Sequence, residues 1–189
     1  PGEISCEDLV IAADGGYDHA KAAGIEPKLF VGDMDSLTIS LPENIEKITF
    51  PERKDYTDMN LAYLEGRARG YENFEIYGGT GGRSDHTFAN VSLLLKIARD
   101  GCRGRMISES EVYTVIENDK INLTGTCGKY ISIFALGGEA HGVSLKGLDY
   151  EVENITLTPD FPLGVSNKFT SREAEISVNN GALLVIYER

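Results

Sequence analysis

Apolar and polar positions alternate along the first part of the chain in two registers. Short apolar runs, Leu9–Ala13, Leu29–Val31 and Phe74–Tyr77, read as strands. Helix-like segments lie between and after them. One is Tyr17–Ala23, closed by Gly24; a second has Leu61, Ala62, Leu64 and Ala68 on one face and ends at Gly70. A third carries the stripe Phe88, Val91, Leu94, Leu95 and Ala98, with Asp85 as its expected N-cap and Gly101 as its stop. Such alternation predicts an α/β N-terminal domain with a largely parallel sheet in Rossmann-like layers.

From about residue 105 the texture changes to short β-rich runs, Glu111–Ile116, Ile131–Leu136 and Ala182–Tyr187, separated by Gly-Gly, Asn-Asp and Asn-Asn-Gly turns. This predicts a small all-β sandwich domain. We place the division at residues 1–118 and 119–189. No repeat or low-complexity linker separates the two parts, so they are expected to pack closely.

Composition narrows the function. A chain of 189 residues, 41% of them hydrophobic, supports a sizeable core without disulfides or a structural metal. The net charge of -12 argues against a broad nucleic-acid surface, which needs clustered Lys and Arg. Cys6, Cys102 and Cys127 are odd in number and form no CxxC pair, as suits reduced thiols in a cytoplasmic protein. The longest purely apolar stretch, residues 182–187, is far below the roughly 20 residues a bilayer helix needs, and no membrane association is expected. The sequence begins at Pro1 and reaches a strand-like run almost at once, so a native segment is expected to precede it.

The candidate chemistry is acidic. Gly32-Asp33-Met34-Asp35-Ser36 places two carboxylates two residues apart where the run 29–31 stops, able to hold a divalent cation. Asp14-Gly15-Gly16 lies upstream and Lys54-Asp55-Tyr56-Thr57-Asp58 downstream, each again beside a junction of elements. Taken singly, Asp33 and Asp35 are explained as turn residues and Asp58 as a helix N-cap. Together, Asp14, Asp33, Asp35 and Asp58 fall at ends of elements that share one rim in a parallel sheet, where ligands bind. Gly78-Gly79-Thr80-Gly81-Gly82 ahead of a helix suits a phosphate, although it lacks a Walker Lys-Ser/Thr ending, and Arg83 adds a planar cationic fork. His19, His86 and His141 show no metal-ligand spacing. Ser166-Asn167 is unremarkable as a turn before a strand.

In their order and spacing, DGG at 14–16, GDMDS at 32–36, KDYTD at 54–58, GGTGGRSDH at 78–86 and SN at 166–167 resemble the thiamine pyrophosphokinase family, through nearly the whole chain. The resemblance implies an α/β ATP-binding domain, then a β-sandwich, in a homodimer with active sites between subunits. It implies Mg²⁺-dependent pyrophosphoryl transfer from ATP to the hydroxyethyl group of thiamine, giving thiamine diphosphate and AMP. Carried onto this sequence, Asp33, Asp35 and Asp58 become the metal-holding and catalytic carboxylates, with Arg83 beside them in catalysis. Asp14, Gly15, Lys54, Thr57 and Arg83 become ATP contacts, and Asp85, Ser166 and Asn167 thiamine contacts. A strand and glycine-containing turn normally precede DGG in this family, and with no Trp present any ring packing on thiamine falls to Tyr or Phe. Two other readings compete: pyrophosphoryl transfer to another hydroxymethyl heterocycle such as a pterin, and a sensing module that binds nucleotide or thiamine without turnover.

Overall fold

The computed structural model describes residues 4–35, 37–49 and 55–189. The chain divides into two compact units, residues 1–72 and 73–189.

The first unit runs β1 (Ile11–Ala13), α1 (Gly16–Ala22), β2 (Leu29–Gly32), β3 (Glu46–Thr49) and α2 (Asp58–Ala68). Its three strands pair in parallel in the order β1-β2-β3, with Ala13 opposite Val31 and Val31 opposite Ile48. Strand alternation sends Leu29 and Val31 to one face, where Ala62 and Leu61 of α2 cover them. Phe30 and Ala12 point to the other face and pack with Tyr17 of α1 and with Ile45, Leu37 and Leu41. All four residues of β2 are buried, as a central strand covered on both faces requires. β3 carries no long apolar run, Glu-Lys-Ile-Thr, and is exposed at every position but Ile48, which is why pattern alone does not reveal it.

The second unit contains β4 (Asn73–Tyr77), α3 (Ser84–Arg99), β5 (Arg103–Ile107), β6 (Glu111–Glu117), β7 (Lys120–Thr124), β8 (Tyr130–Lys146), β9 (Val152–Leu157), β10 (Gly164–Lys168), β11 (Glu173–Ser177) and β12 (Asn180–Glu188). They form a mixed sheet in the order β4-β5-β6-β12-β8-β11-β7, with β9 and β10 also paired to β8. β4 and β5 pair in parallel through a crossover that contains α3; the other pairs of this sheet are antiparallel. Leu93, Leu94 and Ile97 of α3 are buried, and Gly104 on β5 lets the helix approach: an added Cβ would lie 3.0 Å from Leu94 Cδ2. β8 pairs with β12 on both sides of a register shift between Leu136 and His141, where Gly137 has a φ of 76° that is costly for a residue with a Cβ. Ile131, Ile133, Val143, Leu145, Ile176, Leu183 and Val185 make up much of the interior.

A two-part organisation is therefore present, but parallel pairing among the described residues is confined to β1-β2-β3 and to β4-β5. The β4-β5 pair is continuous with antiparallel strands, so the architecture is a small parallel sheet followed by a mixed, curled one rather than one extended parallel layer.

Candidate active site

The first group of functional side chains lies in the first unit, at the carboxyl ends of β1 and β2. Parallel pairing brings those two ends side by side, and Asp14 N–H donates to Val31 O at 2.9 Å. The approach is close: a Cβ on Gly32 would lie 3.1 Å from Asp14 Cα and 3.2 Å from Phe30 Cζ. Glycine between Val31 and Asp33 is thus what lets the two turns touch. Asp14 adopts φ 46° and Met34 φ 71°, left-handed conformations that Asp tolerates but that disfavour a residue such as Met. The left-handed Met34 folds the chain back so that Asp35 N–H donates to Asp33 Oδ1 at 3.2 Å.

As a result Asp14, Asp33 and Asp35 each offer a carboxylate oxygen, all within 4.8 Å of one another. Asp14 Oδ1 is buried and is the one such side-chain atom among the described residues with no hydrogen-bond partner. Unit charges 4–5 Å apart repel by roughly 3–4 kcal/mol at an effective dielectric near 20, and a divalent cation reverses that sign. The orphaned oxygen and the hard, all-oxygen donor set fit a cation such as Mg²⁺.

Asp58, expected among the same carboxylates, is not in this group. It opens α2, where a negative charge complements the helix dipole. The N-cap is Thr57, whose Oγ1 accepts from Asn60 N at 3.3 Å and from Asn60 Nδ2 at 2.9 Å. Gly15 sits as the N-cap of α1, without a side chain to cap it. Lys54, expected at ATP, and Ser36 of the acidic motif lie outside the described residues.

The second group lies in the second unit. The glycine loop after β4 is pinned by Asn90, buried on α3, whose Nδ2 donates to Gly79 O at 3.0 Å. Arg83 and Asp85 form a forked pair, Nη2 to Oδ2 at 2.6 Å and Nε to Oδ1 at 3.2 Å, both side chains well exposed. Asp85 is not the N-cap. That place is Arg83's, and the Asp85 carboxylate instead accepts from His86 N–H at 3.0 Å. The Arg83 hydrogen bond, followed by that of His86 and partly opposed by desolvation, holds the Asp85 carboxyl below its ordinary range.

Ser166 and Asn167 lie within β10 rather than in a turn before it. Ser166 has φ 60°, and its N–H donates to Ser132 Oγ at 3.1 Å. Asn167 is 3% exposed, and its amide is committed internally: Oδ1 accepts from the N–H groups of Tyr150 and Lys168, and Nδ2 donates to Tyr150 O, each at 2.9 Å. It clamps both backbone groups of Tyr150, a residue that is 71% exposed. In sequence Tyr150 stands in an isolated Asp-Tyr-Glu, where nothing announces a held aromatic.

Models of the thiamin pyrophosphokinase catalytic domain and of the thiamin pyrophosphokinase vitamin B1 binding domain match residues 3–106 and 115–183. The chain belongs to the thiamin pyrophosphokinase family. It is 29% identical over 184 residues to the thiamine pyrophosphokinase of Bacillus subtilis (strain 168), covering 94% of this chain and 86% of that one. It is 27% identical over 171 residues to thiamin pyrophosphokinase 1 of Caenorhabditis elegans, covering 85% and 70%. Crystal structures of the thiamin pyrophosphokinases of Bacillus subtilis and Geobacillus thermodenitrificans superpose with TM-scores of 0.87 and 0.83 at 25% and 26% identity. Each alignment covers 98% of this chain and 89% or 88% of the other. Both parts of a thiamin pyrophosphokinase, catalytic and vitamin-binding, are therefore present, and ATP is the family's co-substrate. Among the described residues no helix is long and apolar enough to cross a membrane.

Proposed function

We infer that the protein transfers the pyrophosphoryl group of ATP to the hydroxyethyl group of thiamine, giving thiamine diphosphate and AMP. The observation that carries the reading within the molecule is the carboxylate group Asp14, Asp33 and Asp35 with its orphaned Asp14 oxygen. Those three residues would hold Mg²⁺, with Asp58 as a further acidic group of the same unit. When bound, the ion supplies neutralisation of triphosphate charge.

The chain's own residues then have separable duties. Gly15, Lys54, Thr57 and Arg83 contact ATP; Lys54 and Arg83 supply the positive charge that an acidic protein otherwise lacks near phosphates. Transfer of this kind depends on alignment and charge neutralisation, so no covalent protein intermediate and no catalytic histidine are assigned. Asp85, kept ionised by Arg83, accepts from the aminopyrimidine. Ser166 contributes its hydroxyl, and Asn167 acts through Tyr150, a held and exposed residue whose ring is the aromatic surface we assign to thiamine.

In the same reading residues 1–118 form a Rossmann-like ATP- and metal-binding domain, and residues 119–189 a sandwich that contributes to the thiamine site. The break between the two matched family domains, after residue 106 and before residue 115, supports a division near there. A homodimer is supported by the exposed apolar side chains Phe161, Leu163 and Val165 of the second unit. A cytoplasmic location is supported by the free thiols of Cys6, Cys102 and Cys127.

The test is an assay with ATP, Mg²⁺ and either thiamine or a hydroxymethylpterin, followed by separation of nucleotides and acceptors. Thiamine diphosphate and AMP should form in equal amounts with thiamine alone. AMP formed only with the pterin, or ADP as the nucleotide product, would reject the assignment.

A further inference from the structure

Asp18 belongs to none of the motifs above, and in sequence it is an ordinary acidic residue in the first turn of a helix. In the structure it does something else. Its Oδ2 accepts from Thr38 N–H at 2.8 Å and from Thr38 Oγ1–H at 2.6 Å, and its Oδ1 accepts from Ile39 N–H at 3.3 Å. One carboxylate thus takes three donors from the segment that follows Asp33 and Asp35.

The consequence comes from what lies at either end of that connection. α1 is joined to Asp14 by the bond from Tyr17 N–H to Asp14 O at 3.0 Å, and Tyr17 is 2% exposed in the core beneath. Asp14 in turn is tied to β2 through Val31 O. The acidic loop leaves β2 at Gly32 and, among the described residues, has no helix or strand of its own until β3 begins at Glu46. Thr38 is three residues beyond Asp35, so a fixed Thr38 confines Asp35 within roughly 11 Å of chain. Leu37 packs against the same core cluster as Tyr17 but directs no polar group.

We propose that Asp18 is a positioning residue for the metal-holding carboxylates: by binding Thr38 and Ile39 it locks the Asp33–Asp35 loop to the helix that carries Asp14, so that the three oxygens are gathered before the cation arrives. This rests on the metal reading of Asp14, Asp33 and Asp35. A carboxylate is required because all three partners are donors; an asparagine turns an NH₂ group towards at least one of them.

The test measures Mn²⁺ binding directly, by the loss of the free-ion electron paramagnetic resonance signal, on the full chain without nucleotide, whose phosphates would themselves take up the ion. Asp18→Ala should weaken Mn²⁺ binding by about 10-fold or more, the range seen when groups that orient ligands are removed. Thr38→Val, which keeps shape and the backbone donor, should weaken it by a smaller factor, and Asp18→Asn should fall between. The double variant Asp18→Ala/Thr38→Val should be no weaker than Asp18→Ala alone, because both changes break the same link. Turnover at saturating Mg²⁺ should stay near wild type while the Mg²⁺ concentration for half activity rises. Unchanged Mn²⁺ affinity in Asp18→Ala and Thr38→Val, with or without a lowered melting temperature, overturns the proposal and leaves the metal reading intact. If Asp18→Ala does not fold, Thr38→Val and Asp18→Asn decide by the same readout. Absence of Mn²⁺ uptake by the wild type would remove the metal reading, and this inference with it.

Discussion

Asp14 illustrates how a single residue can be unfavourable for the fold and necessary for the chemistry. It is held in a left-handed conformation, close to Asp33 and Asp35, with a buried oxygen that no protein donor reaches. Without a cation, neutralising it relieves repulsion. Asp14→Asn should therefore raise the melting temperature measured in chelator while lowering thiamine diphosphate formation by at least about 100-fold. Equal activity, or a fall in stability in chelator, would contradict the role. Asn167 shows the opposite balance. Removing its amide leaves the N–H and C=O of Tyr150 without their partner, so Asn167→Ala should cost about 2–4 kcal/mol in urea unfolding. If its part in the reaction is to hold Tyr150, the same variant raises the KM for thiamine while leaving the KM for ATP nearly unchanged. Acidity at Asp85 has a defined sign. Because Arg83 lowers its pKa, the contribution of that pair is present above the ordinary carboxylate range and is lost as pH falls through the lowered value. Between pH 6 and pH 9 the Asp85 carboxyl carbon should show no titration by NMR, and a rate profile that changes there reports another group.

At the scale of elements, what could be read from sequence followed from periodicity and punctuation. The runs at 29–31 and 74–77 are strands and the segment carrying the Phe88 stripe is helical as the pattern predicts, but the apolar face that α3 buries is Val91, Leu93, Leu94 and Ile97, while Phe88 is exposed. β3, β7, β9, β10 and β11 did not declare themselves. β3, β7 and β9 are exposed at half or more of their positions, β10 and β11 are short and mostly polar in sequence, and all are strands because β2, β8 and neighbouring strands supply their hydrogen bonds, a cause that is not local. The site divides in the same way. The Asp33-Asp35 spacing was visible because a strand end and two carboxylates are adjacent in the chain. The place of Asp18, and that of Tyr150 beside Asn167, depend on contacts between segments 20 and 17 residues apart. Glycine-rich loops mislead in a comparable way, since their members look equivalent and are not. A Cβ on Gly79 would meet Met106 Sδ at 2.5 Å, where Met106 is fully buried, whereas one on Gly82 meets nothing within 4 Å. Gly79→Ala should lose about 1–3 kcal/mol in urea unfolding, and Gly82→Ala less than about 0.5 kcal/mol.

For the molecule as a whole, the proposed metal site makes a prediction about where binding energy is felt. The three carboxylates belong entirely to the first unit, on the turns after β1 and β2, and the second unit has its own core around β8 and β12. A ligand that binds only the native state adds stability as RT ln(1 + [L]/Kd), about 2.7 kcal/mol at 100 times its Kd. That stabilisation is expressed in amides whose opening disrupts the site and not in those that open independently. Mg²⁺ should therefore slow hydrogen exchange over residues 13–17 and 31–39 while leaving the interior amides of β8 and β12 unchanged. Chelator should reverse the protection and abolish transfer together, and re-addition of Mg²⁺ should restore both with the same midpoint. Protection spread evenly over both units would mean that the ion acts through global stability, and protection confined to the second unit would place it away from Asp14, Asp33 and Asp35.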